Sequence, residues 1–448
     1  MGTLTKKNKT GSSVLERARA IQPNAPVITG PFAITINNDA TTGSAYIGWS
    51  PAAASIHITN APQPGAVNVV LQNRNTTIGG QLVFRSTYTS APTDTLALSL
   101  PGDGSPVSFF VSGKFGSPSV EDGDAAIAVT DATTHAVLHQ RNIMVRIRKN
   151  ANTLTPAERD RFLSRFVQIN NSADYNRFLN SHNDAANLEI HQRPAFLPWH
   201  RVFVLDLERR LQALDPSITI PYWRFDQSAP NVFTDDFMGG HPNGAGRLTF
   251  SATNPLRLWL VDGVTGLVRL PRFNTSSGSP TDVGLMSQDD TFSLGATFLP
   301  FRRMESNPHG SAHTSFTGGP LFSPLTSTKD PIFFLLHCNV DRLWANWQKR
   351  LTLWNAGNAN TYSPAYGNPI DQSPRAVGDQ IGDTMWPWNE ITGTGGVNRP
   401  PTSPSGPLPQ LSFPAKPSAA PTVGETIDYI GITQGNSNFF DYDDVSFL

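Results

Sequence analysis

The sequence predicts an α+β protein with more than one domain, in which an antiparallel β-sandwich near the N terminus precedes a mainly α-helical domain. Three observations lead to this prediction. Short apolar runs separated by turn residues fill the first third of the 448-residue chain. After Thr155 the apolar residues take up helical spacing. Six of the ten histidines then form two similar groups within the helical part.

Residues 25–150 are predicted to form the β-sandwich, and residues 1–24 an N-terminal tail. Runs rich in Val, Ile, Phe and Thr are separated by Gly, Pro, Asn and Asp at the spacing of about 8–12 residues that sandwich strands show. Apolar and polar residues alternate in residues 32–36 (FAITI), as expected for a strand with one buried face. The predicted strands are FAITIN, AYIGWS, SIHITN, VNVVLQN, GQLVFRS, TLALSL, VSFFVSG, AAIAVTD and NIMVRIRK.

The helical domain is predicted to cover residues 151–448. The sequence TPAE, which begins at Thr155, has the pattern of a helix N terminus: a Thr cap, Pro at the first helical position and Glu placed to close a capping box. Helices are expected from there to about residue 215 and again over 303–352. Residues 216–300 are rich in Gly, Pro, Ser and Asn and are expected to be mainly loops.

Composition and charge narrow the classes of partner. With a net charge of −1 and no long charge run, neither nucleic acid nor an anionic membrane is expected as a partner. No run of about 18 apolar residues predicts a membrane span, and no signal peptide is seen at the start of the chain. The single cysteine, Cys338, excludes internal disulfides and favours a reducing compartment. The expected location is therefore cytoplasmic, or outside the cell after export that depends on a partner protein. The oligomeric state is left open.

The first histidine group consists of His182, His191 and His200. Pro198 is poorly tolerated inside a helix but can open one, so His200 is expected in the first turn of a helix that runs to about Leu214. His182 is expected near the end of the preceding helix, and His191 in the loop between the two helices.

The second group consists of His309, His313 and His337. His309 and His313 are four residues apart, and on one helix this spacing places both rings on the same face. An Asp-Pro pair at Asp330 is expected to begin another helix, with His337 two turns in. Asp341, one further turn along, is expected to hold either the His337 ring or a neighbour of it. Three imidazoles suit a copper ion and leave one coordination position open, so the two groups predict a pair of copper ions with room for O₂.

Two segments around these histidines, PAFLPWHR and DPIFFLLHCNVDRLW, resemble the copper-binding signatures of the type-3 copper proteins: tyrosinases, catechol oxidases, related polyphenol oxidases and haemocyanins. The resemblance covers about residues 160–350. Residues 440–442 (FDY) resemble the aromatic-x-Tyr motif that closes the catalytic domain in this family. The resemblance implies a four-helix core around two copper ions, with the first histidine group binding one ion (CuA) and the second group the other (CuB).

Two residues beside the second group are candidate catalytic positions. The resemblance implies that Glu305 could hold a water near CuB and help to deprotonate a phenol, although an ordinary residue at a helix start is equally consistent with the sequence. Gly310 follows the first CuB histidine directly, at a position where efficient monophenol hydroxylases of the family often have Asn. Its lack of a side chain favours oxidation of o-diphenols over hydroxylation of monophenols.

These features predict a copper-dependent oxidoreductase, namely a polyphenol oxidase that is closer to a catechol oxidase than to a tyrosinase. With O₂ and a small phenolic substrate, it would convert o-diphenols or o-aminophenols to o-quinones or quinone imines, with monophenol ortho-hydroxylation as an additional activity. The alternative is an oxygen-binding protein like a haemocyanin, or a latent enzyme that the N-terminal domain covers.

The other four histidines are interpreted as structural or solvated residues: His57, His135, His139 and His241. Cys338 and the aromatic residues around the two groups are interpreted as core packing.

Overall fold

A computed structural model describes most of the chain, and the predicted tail at residues 1–24 lies outside the described part. The described residues are 31–37, 43–59, 65–74, 79–183, 190–270, 285–365, 378–393, 399–410, 416–433 and 440–447. The mixed α+β class is confirmed, because β-strands occupy the first third of the chain and helices dominate the packing in the remainder.

The described part of the N-terminal region contains nine strands in two sheets. The strands are β1 (Phe32–Ile36), β2 (Ala45–Ile47), β3 (Ala52–Ile58), β4 (Val67–Asn73), β5 (Leu82–Arg85), β6 (Thr95–Leu100), β7 (Val107–Gly113), β8 (Ala125–Asp131) and β9 (Val137–Val145). One sheet has the order β1-β3-β7-β5 and the other β2-β9-β8-β4-β6. Every strand overlaps one of the nine apolar runs, so the strand positions are confirmed.

The alternation of side chains explains why these runs form sheets with one buried face. Buried and half-buried residues alternate along β1 and β3, which pair antiparallel with Ile34 opposite Ile56. Leu71 and Val129 of the other sheet are fully buried and belong to the same continuous apolar core. Each such side chain contributes about 1.5–3 kcal/mol to stability through removal of its apolar surface from water.

The prediction of an antiparallel arrangement is wrong for one strand pair. β2 runs parallel to β9, with Tyr46 opposite Met144. Two strands are forced to be antiparallel only when a short hairpin joins them, whereas the chain passes through both sheets between β2 and β9. The apolar pattern of β2 satisfies either direction, so it predicted the strand but not its partner.

Helices and short strands follow in the rest of the described chain. They are α1 (Pro156–Asn170), α2 (Asn176–Ser181), α3 (Phe196–Leu214), β10 (Leu260–Val261), β11 (Val264–Thr265), α4 (Gln288–Phe292), α5 (Phe298–Phe301), a π-helical turn (Ser306–Gly310), α6 (Ser311–Thr314), α7 (Ile332–Leu351) and α8 (Val423–Ile427). Short 3₁₀ turns lie at Ala151–Thr153, Ala173–Tyr175, Pro255–Leu258, Arg302–Glu305, Pro320–Phe322 and Ser327–Lys329. None of the helices in the described part is both long and apolar enough to cross a membrane.

The predicted helix N terminus at Thr155 is confirmed. The Thr155 hydroxyl accepts a hydrogen bond from the Glu158 backbone N–H, and the Glu158 carboxylate accepts one from the Thr155 backbone N–H at 3.0 Å. The apolar face of α1 is buried, with Phe162 and Phe166 packed together in the core.

Loss of this cap gives a first testable prediction. Thr155→Ala is expected to lower the free energy of unfolding by about 1 kcal/mol, since it removes the side-chain acceptor from the first turn of α1. Denaturant unfolding of the copper-free protein measures the change. Thr155→Ser keeps the hydroxyl and is expected to stay close to wild type; equal losses in the two variants would contradict the capping role.

The long helices α3 and α7 lie against each other and carry one histidine from each group. Phe203 of α3 stacks on Phe334 of α7 with ring centroids 5.5 Å apart. α3 begins at Phe196, two residues before the predicted Pro198, which the first turn accommodates because its missing N–H has no helical partner there. α7 begins at Ile332, and the Asp330 carboxylate accepts a hydrogen bond from its first backbone N–H, as predicted.

Candidate metal centre

The first histidine group gathers around the start of α3. His182 follows α2 directly, His191 lies in a bend before α3, and His200 lies in the second turn of α3. The positions predicted for His182 and His191 are therefore found, whereas His200 lies in the second turn of its helix and not in the predicted first turn, because the helix begins two residues before Pro198. One nitrogen from each of the three rings lies within 4.8 Å of the others, and the Nε2 atoms of His182 and His200 are 3.4 Å apart.

The second group also converges, and its first two histidines lie on one continuous helical run, with His309 in a π-helical turn and His313 on α6, which follows directly. The π-helical turn that carries His309 is kinked at Asn307, whose φ of −142° and ψ of 119° are not helical. Pro308 causes this break, because a residue before proline is pushed towards extended backbone and proline lacks an N–H. His313 lies on α6 and His337 on α7, and their Nε2 atoms are 3.2 Å apart. The His309 Nε2 atom is 3.3 Å from that of His337.

The nitrogen spacings fit a bound metal ion in each group. Imidazole nitrogens lie about 2.0–2.1 Å from a metal, and tetrahedrally arranged nitrogens at that distance are about 3.3–3.4 Å apart. The Nε2–Nε2 separations of 3.2–3.4 Å for the pairs His182–His200, His309–His337 and His313–His337 match this spacing. The two groups are also adjacent, because the rings of His200 and His337 stack with centroids 4.2 Å apart and planes 13° apart. The arrangement could therefore hold two metal ions side by side.

Backbone carbonyls fix the orientation of four rings. The Nδ1 atoms of His182, His200, His309 and His313 each lie 2.7–2.9 Å from a carbonyl oxygen, contributed in order by Pro324, Phe196, Glu305 and Leu321. A proton held on Nδ1 by a carbonyl leaves the Nε2 lone pair free for a metal. Sequence spacing gives a signal for two of these acceptors, Phe196 and Glu305, each four residues before its histidine, and none for Pro324 and Leu321.

His337 differs from these four rings. Its Nδ1 atom is buried and has no hydrogen-bond partner among the described residues. Phe333, one turn earlier on α7, packs against the ring at a centroid distance of 4.2 Å. Packing and helix position therefore orient this ring.

Burial keeps the histidine rings in the uncharged form that binds a metal. It lowers the pKa of His182 to about 3, with a further contribution from the neighbouring His313, and it lowers the pKa of His313 to about 4. Burial and the neighbouring rings also lower the pKa values of His191, His200, His309 and His337 well below the usual range for histidine. The rings therefore need not lose a proton before a metal binds at neutral pH.

Aromatic side chains enclose the rings more closely than the core-packing interpretation implied. Phe333 lies between the groups, with its ring 4.9 Å from that of His182 and 4.2 Å from that of His337. Phe196 contacts His200 and His309, with centroid distances of 4.6 and 4.9 Å. These residues exclude water from the backs of the rings and leave the partly exposed His191 as the least enclosed histidine.

The structure places both predicted catalytic residues beside the second group. Glu305 is buried, and its Oε1 atom accepts a hydrogen bond from the backbone N–H of Gln192 at 2.6 Å. Gly310 follows His309 and has free space around it: a Cβ added there would meet only the Glu305 carbonyl oxygen, at an ordinary contact distance of 3.6 Å. A side chain at position 310 is therefore sterically possible.

Asp341 does not hold the His337 ring, and the residues that its carboxylate binds are not neighbours of His337 in the sequence. Its carboxylate accepts hydrogen bonds from Arg201 Nε at 2.5 Å, Arg148 Nη1 at 3.2 Å and Tyr442 Oη at 2.7 Å. Arg148 also pairs with Glu208, with an Nε–Oε2 distance of 2.9 Å. This buried cluster of two arginines, two carboxylates and a tyrosine joins the end of β9, the backs of α3 and α7 and the C-terminal segment. Sequence reasoning did not find Arg148, which reads as one residue of an alternating strand.

The four remaining histidines stay outside both groups. Within the described ranges, only the two triads bring three potential metal-binding side chains together. His57 and His139 lie on strands, His135 in a turn and His241 in an exposed loop. Their interpretation as structural or solvated residues agrees with these positions.

The Cys338 thiol is expected to be unreactive in the folded protein. It is buried and donates to the Ile220 carbonyl oxygen at 3.3 Å. Burial raises its pKa to about 12, so the reactive thiolate is about 10⁻⁴ of the total at pH 8. Ellman's reagent should therefore label about one thiol per chain in denaturant and almost none in the native state. Rapid labelling of native protein would contradict this placement.

Comparison with known proteins gives the family. Residues 166–350 match the family model described as the common central domain of tyrosinase. A tyrosinase from Streptomyces glaucescens is 33% identical over 275 residues, which cover 55% of this chain and 93% of that protein. A tyrosinase from Streptomyces antibioticus is also 33% identical over 275 residues, covering 55% of this chain and 94% of that protein. Among solved structures, a functional unit of octopus haemocyanin has a TM-score of 0.42 and 19% identity, covering 67% of this chain and 69% of that chain. The chain belongs to the tyrosinase family of type-3 copper oxidoreductases, which bind two copper ions and act on phenolic substrates with O₂.

Proposed function

We propose that this protein is a polyphenol oxidase that converts o-diphenols or o-aminophenols to o-quinones or quinone imines, and that the six clustered histidines are its copper ligands. His182, His191 and His200 would hold CuA, and His309, His313 and His337 would hold CuB. The observation that carries the proposal is the convergence of two uncharged imidazole triads, buried except for the partly exposed His191, within the segment that matches the tyrosinase model.

The reaction balances with O₂ as the only oxidant. Two o-diphenol molecules each release two electrons and two protons, and one O₂ accepts all of them to form two water molecules. The two copper ions, when bound, supply the redox chemistry that transfers these electrons. The protein's own residues hold the imidazoles in place and keep the site dry, with Phe196 and Phe333 as its walls. Glu305 is the candidate residue for proton transfer: its carboxylate would hold the water that receives the phenolic proton of the substrate.

Gly310 supports the preference for diphenols. A monophenol must lose its proton before it can be hydroxylated, and a polar side chain at position 310 could help Glu305 to hold the water that receives it. Glycine cannot provide this help, although the space at position 310 would accept a larger residue.

Gly310→Asn is therefore expected to raise the ratio of monophenol to diphenol turnover, by roughly tenfold if the added amide contributes one hydrogen bond in the transition state. Turnover of 4-tert-butylphenol and 4-tert-butylcatechol measures the ratio, and Gly310→Ala serves as the control for added bulk. An unchanged ratio in Gly310→Asn, or an equal rise in Gly310→Ala, would contradict the role assigned to this position.

A haemocyanin-like oxygen carrier, or an enzyme that the N-terminal domain keeps latent, is the alternative. The described contacts of the β-strand region favour an open site. Trp49 contacts Asp441 and Tyr442, Tyr88 contacts Ile430, and Arg146 contacts Pro216, and none of these partners is one of the six clustered histidines. We propose accordingly that residues 25–150 form a β-sandwich domain behind the copper domain of residues 151–448, whose four-helix core includes α3 and α7.

Oxygen consumption by the copper-loaded chain tests the proposed function. We expect uptake with 4-tert-butylcatechol and much slower uptake with 4-tert-butylphenol. Comparable O₂ uptake with both substrates would make the protein a tyrosinase. It would also contradict the proposal that Gly310 favours o-diphenols over monophenols. No uptake with either substrate, in protein that holds two copper ions per chain, would instead support the carrier or the latent enzyme.

A further inference from the structure

Glu305 supports both histidine groups at once. Its backbone carbonyl oxygen accepts the hydrogen bond from His309 Nδ1 at 2.7 Å, which orients a ring of the second group. Its side-chain Oε1 atom accepts a hydrogen bond of 2.6 Å from the backbone N–H of Gln192, the residue directly after His191 in the first group. A carboxylate that binds a neutral N–H forms a stronger, shorter hydrogen bond than a neutral acceptor does.

The backbone at Gln192 needs such a support. Gln192 has a φ of +54°, in the left-handed region that residues other than glycine rarely adopt. Strained residues of this kind persist only where surrounding contacts hold them, and they are concentrated at functional sites. The strain lies next to His191, which is the only one of the six histidines that is not fully buried. Because Gln192 directly follows His191, the backbone that it fixes also helps to set the position of the His191 ring.

A second carboxylate holds the other end of the same short segment. Asp379 Oδ1 accepts a hydrogen bond from the backbone N–H of Ala195 at 3.4 Å, and the Asp379 carbonyl oxygen accepts one from the Tyr362 hydroxyl at 2.6 Å. The segment between His191 and α3 is thus tied at one end to Glu305 and at the other to Asp379. The stronger tie, by distance, is the one next to the histidine.

We propose that Glu305 is a positioning residue for His191: its carboxylate clamps the strained backbone of Gln192 and so fixes the ring at the first metal position. The inference rests on the proposed function, in which the six clustered histidines bind the two copper ions. It gives Glu305 a role that differs from proton transfer. A proton acceptor near CuB affects turnover only. A clamp on the segment that carries His191 also determines how tightly the first copper ion is held.

Three substitutions separate these two tasks. Glu305→Gln removes the negative charge but keeps an oxygen that can accept the Gln192 N–H. Glu305→Ala removes both the charge and the acceptor. Gln192→Gly keeps the N–H and relieves the strain, because glycine adopts positive φ without a steric penalty. The double variant Glu305→Ala/Gln192→Gly tests whether the clamp acts through the strained residue.

Copper affinity, measured by competition with a chromophoric chelator, is the first readout. Loss of a group that supports a metal ligand typically lowers metal affinity 10- to 100-fold. Glu305→Ala is therefore expected to lower the affinity for one of the two copper ions by about this factor. Glu305→Gln is expected to lower the affinity for either copper ion by no more than about threefold, since its side-chain oxygen can still accept the hydrogen bond from the Gln192 N–H. In the Gln192→Gly background, the penalty of Glu305→Ala is expected to shrink by about 3- to 10-fold.

The second readout is amide hydrogen exchange in the copper-free protein. Mass spectrometry of a peptide that spans residues 190–196 detects the exchange. Exchange in this peptide is expected to be slow in wild type and in Glu305→Gln and faster in Glu305→Ala. If Glu305→Ala binds both copper ions as tightly as wild type and its exchange is unchanged, the clamp is wrong, even if its turnover falls. If Glu305→Gln loses affinity as strongly as Glu305→Ala, the charge holds the ion and the clamp is also wrong.

The same titration separates failure of the clamp from failure of the ligand set. Wild-type protein that binds two copper ions, together with variants that bind them equally well, would overturn the clamp alone. Wild-type protein that binds fewer than two would contradict the ligand set and the clamp together.

Discussion

His313→Ala is expected to hold one copper ion per chain instead of two and to lose diphenol oxidation by on the order of 10³-fold or more. The substitution removes an Nε2 atom that lies 3.2 Å from that of His337, so the second triad is left with two imidazoles. A reaction that uses both ions cannot proceed through the remaining one, whose ligands all come from the other triad. Metal analysis after loading and dialysis, together with O₂ uptake on 4-tert-butylcatechol, measures both effects.

His241→Ala is the matched control for this prediction. His241 lies in an exposed loop and belongs to neither triad, so its loss should leave both copper content and turnover unchanged. Two copper ions retained in His313→Ala would contradict the assignment of this residue as a ligand. Lost copper in His241→Ala would show that the two triads are not the whole of the site.

Asp341→Ala is expected to produce the largest loss of stability, about 3–5 kcal/mol in the free energy of unfolding. Removal of this buried carboxylate leaves the guanidinium groups of Arg148 and Arg201 with Glu208 as the remaining anion of the cluster. Buried positive charge without a partner is costly in a medium that cannot solvate it. The Arg201 guanidinium is also packed over the Trp344 ring at 3.7 Å, so it has little freedom to move towards water.

Urea unfolding of the copper-free variants measures this loss without interference from metal binding. Asp289→Ala removes a carboxylate whose side chain is 87% exposed and which lies 3.6 Å from Arg350, so its effect is expected to stay within about 0.5 kcal/mol. A loss below about 1 kcal/mol in Asp341→Ala would mean that the buried cluster does not hold α3 against α7.

Much of the fold follows from local sequence patterns. The alternation in FAITI and similar runs predicted where the nine strands lie, because a half-buried strand imposes its period on the sequence. The capping box at Thr155 and the Asp-Pro pair at Asp330 predicted helix starts, because those interactions are completed within a few residues. The pairing of β2 with β9 was not predicted, since it depends on contacts between residues about a hundred positions apart.

The candidate site shows the same division. Spacing and flanking residues singled out all six histidines, and the structure brings them together as two triads. The kink at Asn307 was missed because the Pro308 that follows it, directly before His309, was not considered; the kink lies before both histidines and leaves their four-residue helical spacing intact. The carbonyl oxygens of Leu321 and Pro324, which orient His313 and His182, have no side-chain signature and could only come from the structure.

The central claim is that the two triads hold two copper ions side by side, and anomalous diffraction at the copper edge from crystals of the copper-loaded protein tests it most directly. We expect two peaks per chain, one about 2.0–2.1 Å from a ring nitrogen of each of His182, His191 and His200, and the other at similar distances from His309, His313 and His337. A single peak shared by the triads, or copper bound at other residues, would contradict it.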